Sequence, residues 1–233
     1  MQSWMIYGAN GYTGTLIARE AVRQGLRPVL GGRRRDAIEA LASELGLDYR
    51  VFDLKDAQAA REAIRGICVV AHCAGPFSAT SAPMLDACLA EGAHYLDITG
   101  EIDVFIAAHD RHAEAVAANI VVCPGVGFDV IPTDCLAATL KSELPDADRL
   151  TLGFDSRSGL SPGTAKTSVE GLREGGKVRV DGEIRRVPLA YQSRDIDFGN
   201  GTKAAATIPW GRDSTPNPFR PEVLKWPVRV SRA

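Results

Sequence analysis

Between the apolar run Trp4-Met5-Ile6-Tyr7 and the first helical stretch lies Gly8-Ala9-Asn10-Gly11-Tyr12-Thr13-Gly14, and no other segment limits the fold so strongly. Its spacing, Gly-x-x-Gly-x-x-Gly, is a variant of the dinucleotide-binding fingerprint. The glycines serve a tight turn, close backbone approach to a pyrophosphate, and hard packing of helix on strand, and each of these excludes a Cβ. The helix that follows presents unpaired N–H groups and a positive dipole end to phosphate. A glycine triplet alone is a weak signal, so the context has to decide.

The context is an alternation of strands and helices. Tyr12 to Gln24 reads as a helix with Leu16, Ile17 and Ala21 on one face, and Pro28-Val29-Leu30 as a strand ending in Gly31-Gly32. Asp36 opens a helix with Ile38, Leu41 and Leu45 at helical spacing, closed by Gly46. Tyr49 to Asp53 is a third strand, Asp56 to Arg65 an Ala-rich helix, and Ile67 to Ala71 a fourth strand. Ser81 is expected to cap a helix with Pro83 in its first turn and Gly92 at its end. His94 to Ile98, a helix from Asp103 to Ala118 stopped at Asn119, and a strand from Ile120 to Cys123 complete the pattern. Six short strands separated by helices predict right-handed βαβ units and a doubly wound parallel sheet.

The pattern changes near residue 130. Pro132-Thr133-Asp134 starts a helix through Leu144, and Leu150 to Phe154 alternates like a half-buried strand. Val178 to Arg185 reads as a hairpin turning at Asp181-Gly182. From Gly211 onward Pro216, Pro218, Pro221 and Pro227 oppose long helix or central strand. The fold class expected is therefore α/β, a doubly wound parallel Rossmann sheet with a second, smaller, truncated α+β domain. Its divisions are 1–130 for the Rossmann domain, 131–210 for a partial domain serving substrate or dimerisation, and 211–233 for an irregular tail.

Lys+Arg 27 against Asp+Glu 29 leaves a net charge of -2, which argues against a nucleic-acid or membrane-surface binder. No run approaches the ~18 uncharged apolar residues of an integral membrane segment, and the start of the chain does not resemble a signal peptide. Five cysteines without a Cys-x-x-Cys pair read as small buried apolar positions in a reducing compartment, hence a cytoplasmic location and no metal. His109 and His112, three apart on one helix, read as surface residues.

Cofactor choice is set at the end of the second strand. An NAD site places Asp or Glu there for the ribose 2′-OH, and this chain has Gly32-Arg33-Arg34-Arg35 instead. Guanidinium groups pair bidentately with a 2′-phosphate, whereas positive charge at a helix start is otherwise disfavoured, so the run predicts NADP(H). The cofactor-binding set comprises Gly8, Asn10, Gly11, Tyr12, Thr13, Gly14, Arg33 and Arg34. Asp53, a possible acceptor for the adenine amino group, and Ala74, Gly75 and Pro76 after the fourth strand join it. Proton donors are expected at the carboxyl ends of the later strands, which makes Tyr95, Asp97, Glu101 and Asp129 the catalytic candidates. Each acid could equally cap a helix or tie down a loop. The Tyr-x-x-x-Lys pair, the Gly-x-Ser-x-Gly elbow and the phosphate-binding Gly-x-x-x-x-Gly-Lys-[Ser/Thr] motif are all missing.

With Tyr7 to Gly14, Gly32-Arg33-Arg34, Ala74 to Phe77, Tyr95 to Glu101, Pro124 to Asp129 and Leu160 to Ala165 in this order, the chain resembles the saccharopine dehydrogenase-like NAD(P)-binding family, in particular its bacterial trans-acting enoyl reductase branch. The resemblance runs over roughly residues 1–210 and implies a Rossmann domain, NAD(P) dependence, and hydride transfer involving a small or lipid-like substrate. It also implies a longer second domain, and an incomplete one would leave apolar surface that a homodimer could cover. Two functions follow. One is an NADPH-dependent oxidoreductase acting on a C=C or C=N bond. The other is a catalytically silent NADP-binding sensor or partner subunit.

Overall fold

The structure, a computed structural model, describes residues 3–128, 130–146, 175–180, 183–199 and 201–208, together with single positions at 153, 155, 163, 165 and 169. The chain forms two units, one of residues 1–99 and 103–127, the other of residues 100–102 and 128–233.

The first unit is built on six strands: β1 (Ser3–Tyr7), β2 (Val29–Gly32), β3 (Tyr49–Val51), β4 (Ile67–His72), β5 (His94–Asp97) and β6 (Val122–Cys123). All pair in parallel, in the spatial order β3-β2-β1-β4-β5-β6. Parallel neighbours need crossovers, and the chain supplies α1 (Tyr12–Arg23), α2 (Arg35–Leu45), α3 (Ala57–Ile64), α4 (Phe77–Glu91), α5 (Ile102–Asp110) and α6 (His112–Ala117). The order reverses between β1 and β4, and a sheet of this kind opens its ligand crevice there, beyond the strands' carboxyl ends.

Strand alternation divides the core in two. Met5 and Tyr7 point to one face with Val70, Tyr95, Ile64 and Met84. Ile6 points to the other with Leu30, Ala18, Ile38 and Leu41. Side chains such as Ile6, Leu30 and Ile38 are fully buried, each contributing about 1.5–3 kcal/mol by removal from water. Both faces are covered, as near-continuous apolar strands require.

Several elements depart from the sequence reading. α1 buries Gly14, Ala18 and Ala21, and Leu16 is 52% exposed, because small residues let the helix approach the sheet closely. α4 begins at Phe77, upstream of Ser81, and Pro83 lies inside it. Phe77 is buried edge-on against the His72 ring at 5.3 Å, which anchors a turn the capping signal did not reveal. The helix expected from Asp103 to Ala118 is broken at Arg111, whose side chain bonds Asp86 on α4 at 2.7 Å. All five cysteines are free, yet only Cys88 is fully buried and Cys135 is exposed.

In the second unit α7 (Ile131–Glu143) is followed by an antiparallel pair, β7 (Gly176–Val180) with β8 (Glu183–Val187). The strand pairing is that of the expected hairpin, while its Asp181-Gly182 turn lies outside the described residues, as do the strand at 150–154 (bar position 153) and the tail from 211. A second hairpin, β9 (Ser193–Asp197) with β10 (Thr202–Ala206), was not anticipated. Among the described residues no helix is long and apolar enough to cross a membrane.

The packing yields a paired prediction for chemical denaturation. Met84→Ala, at a fully buried position, should cost about 2–5 kcal/mol, and Leu16→Ala less than about 0.5 kcal/mol. A large loss at Leu16 would mean that α1 packs by its larger side chains.

Candidate functional site

The glycine loop leaves β1 at its carboxyl end. Gly8 has φ +80°, and a Cβ there would lie 2.8 Å from the Ala74 nitrogen and 2.9 Å from the Ala74 Cβ. A Cβ on Gly14 would stand 2.3 Å from the Gly8 carbonyl oxygen and 2.8 Å from the Ala9 Cα. At each position the nearest atom is backbone and cannot give way. Gly11 is different: its nearest atom is the Gly8 oxygen at 3.2 Å, it is exposed, and it caps α1 without a side-chain partner. The first-turn N–H groups of α1, from Tyr12 and Thr13 onward, therefore open toward solvent beside a surface stripped of side chains, the arrangement that receives phosphate. Thr15 secures the turn by donating from Oγ1 to the Ala9 carbonyl at 3.0 Å. Tyr12 stands 66% exposed at this rim.

At the end of β2 the three arginines separate. Arg35 is committed to Glu39 at 2.9 Å on its own helix. Arg34 precedes α2 and reaches back to the glycine loop: with the Asn10 amide oxygen turned toward it, Arg34 donates from Nη2 at 2.7 Å and from Nε at 3.2 Å. Arg33 is exposed and close enough to Tyr7 to act on it electrostatically. Burial, followed by the Asp53 carboxylate, pushes the Tyr7 hydroxyl up to about 12, with Arg33 opposing. Asp53 thus lies near Tyr7. One of its oxygens accepts from the Lys55 N–H at 3.0 Å, the turn role that the sequence also allowed.

The loop after β4 is held from below. His72 is fully buried, and its Nε2 meets Thr80 Oγ1 at 3.0 Å, while that hydroxyl lies 2.7 Å from the Ala74 carbonyl. Donation from Thr80 to Ala74 leaves the Thr80 oxygen to accept from His72 Nε2–H. His72 Nδ1 is then buried without a partner, and burial holds the ring far below its ordinary value, at about 3. Neither His72 nor Thr80 was singled out from sequence, although a histidine ending a buried apolar strand is a readable anomaly. The chain thereby fixes Ala74, Gly75 and Pro76 against Gly8.

Of the four acid–base candidates, Tyr95 and Asp97 are each 1% exposed and bonded to one another, Tyr95 donating to Asp97 Oδ2 at 2.6 Å. Asp97 Oδ1 accepts from the Thr99 N–H at 2.9 Å and the Gly125 N–H at 2.8 Å. Burial raises the Asp97 carboxyl, and these three hydrogen bonds pull it back. Such a carboxylate ties the loop after β5 to the loop after β6 and offers no face to a bound molecule. Glu101, half-buried just before α5, remains accessible, and Asp129 lies outside the described residues.

These features fit an NADP-type dinucleotide: glycine positions that a Cβ would fill, an uncapped helix N-terminus, and Arg33 and Arg34 where an NAD site needs a carboxylate. Comparison with known proteins agrees. The family described as the saccharopine dehydrogenase NADP binding domain matches residues 4–123. A trans-acting enoyl reductase of Mycobacterium tuberculosis is 30% identical over 238 residues, covering 91% of this chain and 54% of that relative. A human saccharopine dehydrogenase-like oxidoreductase is 26% identical over 152 residues, 56% of this chain and 35% of its own. The chain thus spans about half the length of these relatives, or less. Among solved structures, apo saccharopine dehydrogenase (L-Glu forming) from Saccharomyces cerevisiae superposes with a TM-score of 0.65 at 15% identity, over 89% of this chain and 50% of that one. At that identity the likeness is one of fold.

Two measurements check the geometry. Gly14→Ala forces a Cβ onto backbone and should cost about 1–3 kcal/mol of stability while weakening NADPH binding; an unchanged melting curve contradicts the close packing. For His72, the unfolded ring takes a proton near its ordinary 6.5 and the folded ring only near 3, so its contribution to stability is present above about 6.5 and lost as pH falls toward 3. Denaturation across that window should show a shallower decline for His72→Gln than for the unsubstituted protein.

Proposed function

The chain belongs to the family of the saccharopine dehydrogenase NADP binding domain, and on that footing we propose that it is an NADPH-dependent oxidoreductase. The reaction we infer is hydride transfer to a C=C bond of a small or lipid-like, carbonyl-linked substrate, with a C=N bond as the other acceptor. One observation carries the reading: Arg33 and Arg34 stand at the end of β2, and Arg34 meets Asn10 of a glycine loop whose Gly8 and Gly14 leave no space for a Cβ. The name of the Mycobacterium relative speaks for the C=C bond.

NADPH, when bound, supplies the hydride. The protein's own residues bind, orient and protonate. First-turn N–H groups of α1 would take the pyrophosphate, Arg33 and Arg34 the 2′-phosphate, and the loop at Ala74, Gly75 and Pro76 would border the ribose. Asp53 is left to the adenine. Tyr95 and Asp97 position the loops beyond β5 and β6, so Glu101, with Asp129, is the group we infer to hold the proton that completes reduction. Residues 131–210 are proposed to serve substrate binding or dimerisation, and nucleic acid is not expected as a partner.

A second reading, a catalytically silent NADP-binding sensor or partner subunit, draws support from the burial of Tyr95 and Asp97, two of the four candidate acids and bases. Following NADPH absorbance over a panel of enoyl-thioester and imine substrates separates the two. The enzyme reading expects turnover on at least one class, lowered about 10²–10⁴-fold by Glu101→Gln. A folded, NADPH-binding sample that turns over none of them would leave the silent reading.

A further inference from the structure

Asn10 belongs to the glycine loop by sequence, but its side chain meets a residue outside that loop. Its amide oxygen accepts from Arg34 at 2.7 and 3.2 Å, across to the start of α2. Room for this contact exists because residue 32 is glycine: a Cβ there would lie 3.1 Å from the Asn10 amide and 2.8 Å from the Ile38 side chain. Arg34 stands just ahead of α2, and the Asn10 amide is the partner its guanidinium meets there. Of the other two arginines of the run, Arg35 is held by Glu39, and Arg33, exposed like Arg34, lies close enough to Tyr7 to act on it.

We propose that Asn10 is a positioning residue for cofactor discrimination, holding Arg34 where a 2′-phosphate meets its remaining N–H groups. This deepens the NADPH reading and rests on it. The chemistry requires a neutral acceptor. A carboxylate in place of the amide would hold Arg34 equally well but cancel the charge that the phosphate needs. An apolar residue would leave a long, flexible side chain to be ordered only on binding, at an entropic cost to affinity. Asn10 orders the guanidinium and leaves it charged. The loop that cradles the pyrophosphate and the residue that reads the 2′-phosphate are thus joined by one side chain.

The test is a double-mutant cycle on the full chain, titrating NADPH and NADH by fluorescence for Asn10→Ala, Arg34→Ala and the pair, with Asn10→Ser replacing Asn10→Ala if that variant does not melt cooperatively. Asn10→Ala should weaken NADPH about tenfold and leave NADH within about twofold, and should have no further effect on NADPH once Arg34 is removed. A role confined to the shape of the glycine loop would weaken both cofactors by the same factor. That result, or an undiminished Asn10 effect without Arg34, overturns the proposal. Unsubstituted protein that binds NADH as tightly as NADPH would instead overturn the cofactor reading, and this proposal with it.

Discussion

The backbone-on-backbone contact among Gly8, Gly14 and Ala74 is the constraint on which the first unit turns. A Cβ at Gly14 would approach the Gly8 carbonyl to 2.3 Å, and one at Gly8 would meet Ala74 at 2.8 Å. With no side chains between them, α1 sits against the turn leaving β1, and the loop after β4 closes from the other side. The Cys73 N–H bonds the Tyr7 carbonyl at 2.8 Å, and the Gly8 N–H bonds the Gly31 carbonyl at 2.8 Å, so the ends of β1, β2 and β4 converge on one loop. This convergence sets the N-terminus of α1 at the reversal in strand order, where folds of this kind bind phosphate.

Around that cradle the polar side chains divide by burial. His72, Tyr95 and Asp97 lie at or near the carboxyl ends of β4 and β5 and are almost wholly buried. Each spends its hydrogen bonds on a loop: His72 through Thr80 on Ala74, Tyr95 and Asp97 on Thr99 and Gly125. Apart from His72 Nδ1, these buried polar atoms are partnered, as burial requires, and their partners lie in the loops that would surround a dinucleotide. Charge that stays exposed or half-exposed in the first unit includes Arg33, Arg34 and Asp53. The loops after β4 and β5 thus rest on buried polar groups, with Arg33 and Arg34 exposed after β2.

Much of this was legible in the sequence, for physical reasons. Strands covered on both faces are apolar throughout and stand out between amphipathic helices, so β1 to β6 and their crossovers could be read, with Gly46 and Gly92 marking helix ends. The arginines after β2 were legible because charge there has few structural explanations. Three features were not. Ser81 looked like a cap because capping is local, whereas the turn that starts α4 depends on Phe77 packing against His72, a tertiary contact. The loop-tying bonds of Asp97 could not be told from a reactive role, because a carboxylate after a strand has several uses and its Gly125 partner comes from the distant loop after β6. The Asn10–Arg34 contact carries no sequence signal, since only the pairing of β1 with β2 brings residues 24 positions apart together.

The central claim is that this loop and the arginines after β2 form one binding site for a 2′-phosphorylated dinucleotide. A crystal structure of the protein with NADP(H) tests it most directly. The account predicts the pyrophosphate against the first turn of α1, within hydrogen-bond reach of backbone N–H groups, and the 2′-phosphate between Arg33 and Arg34. A dinucleotide bound elsewhere, or bound there with its 2′-phosphate turned to solvent away from both arginines, would contradict it.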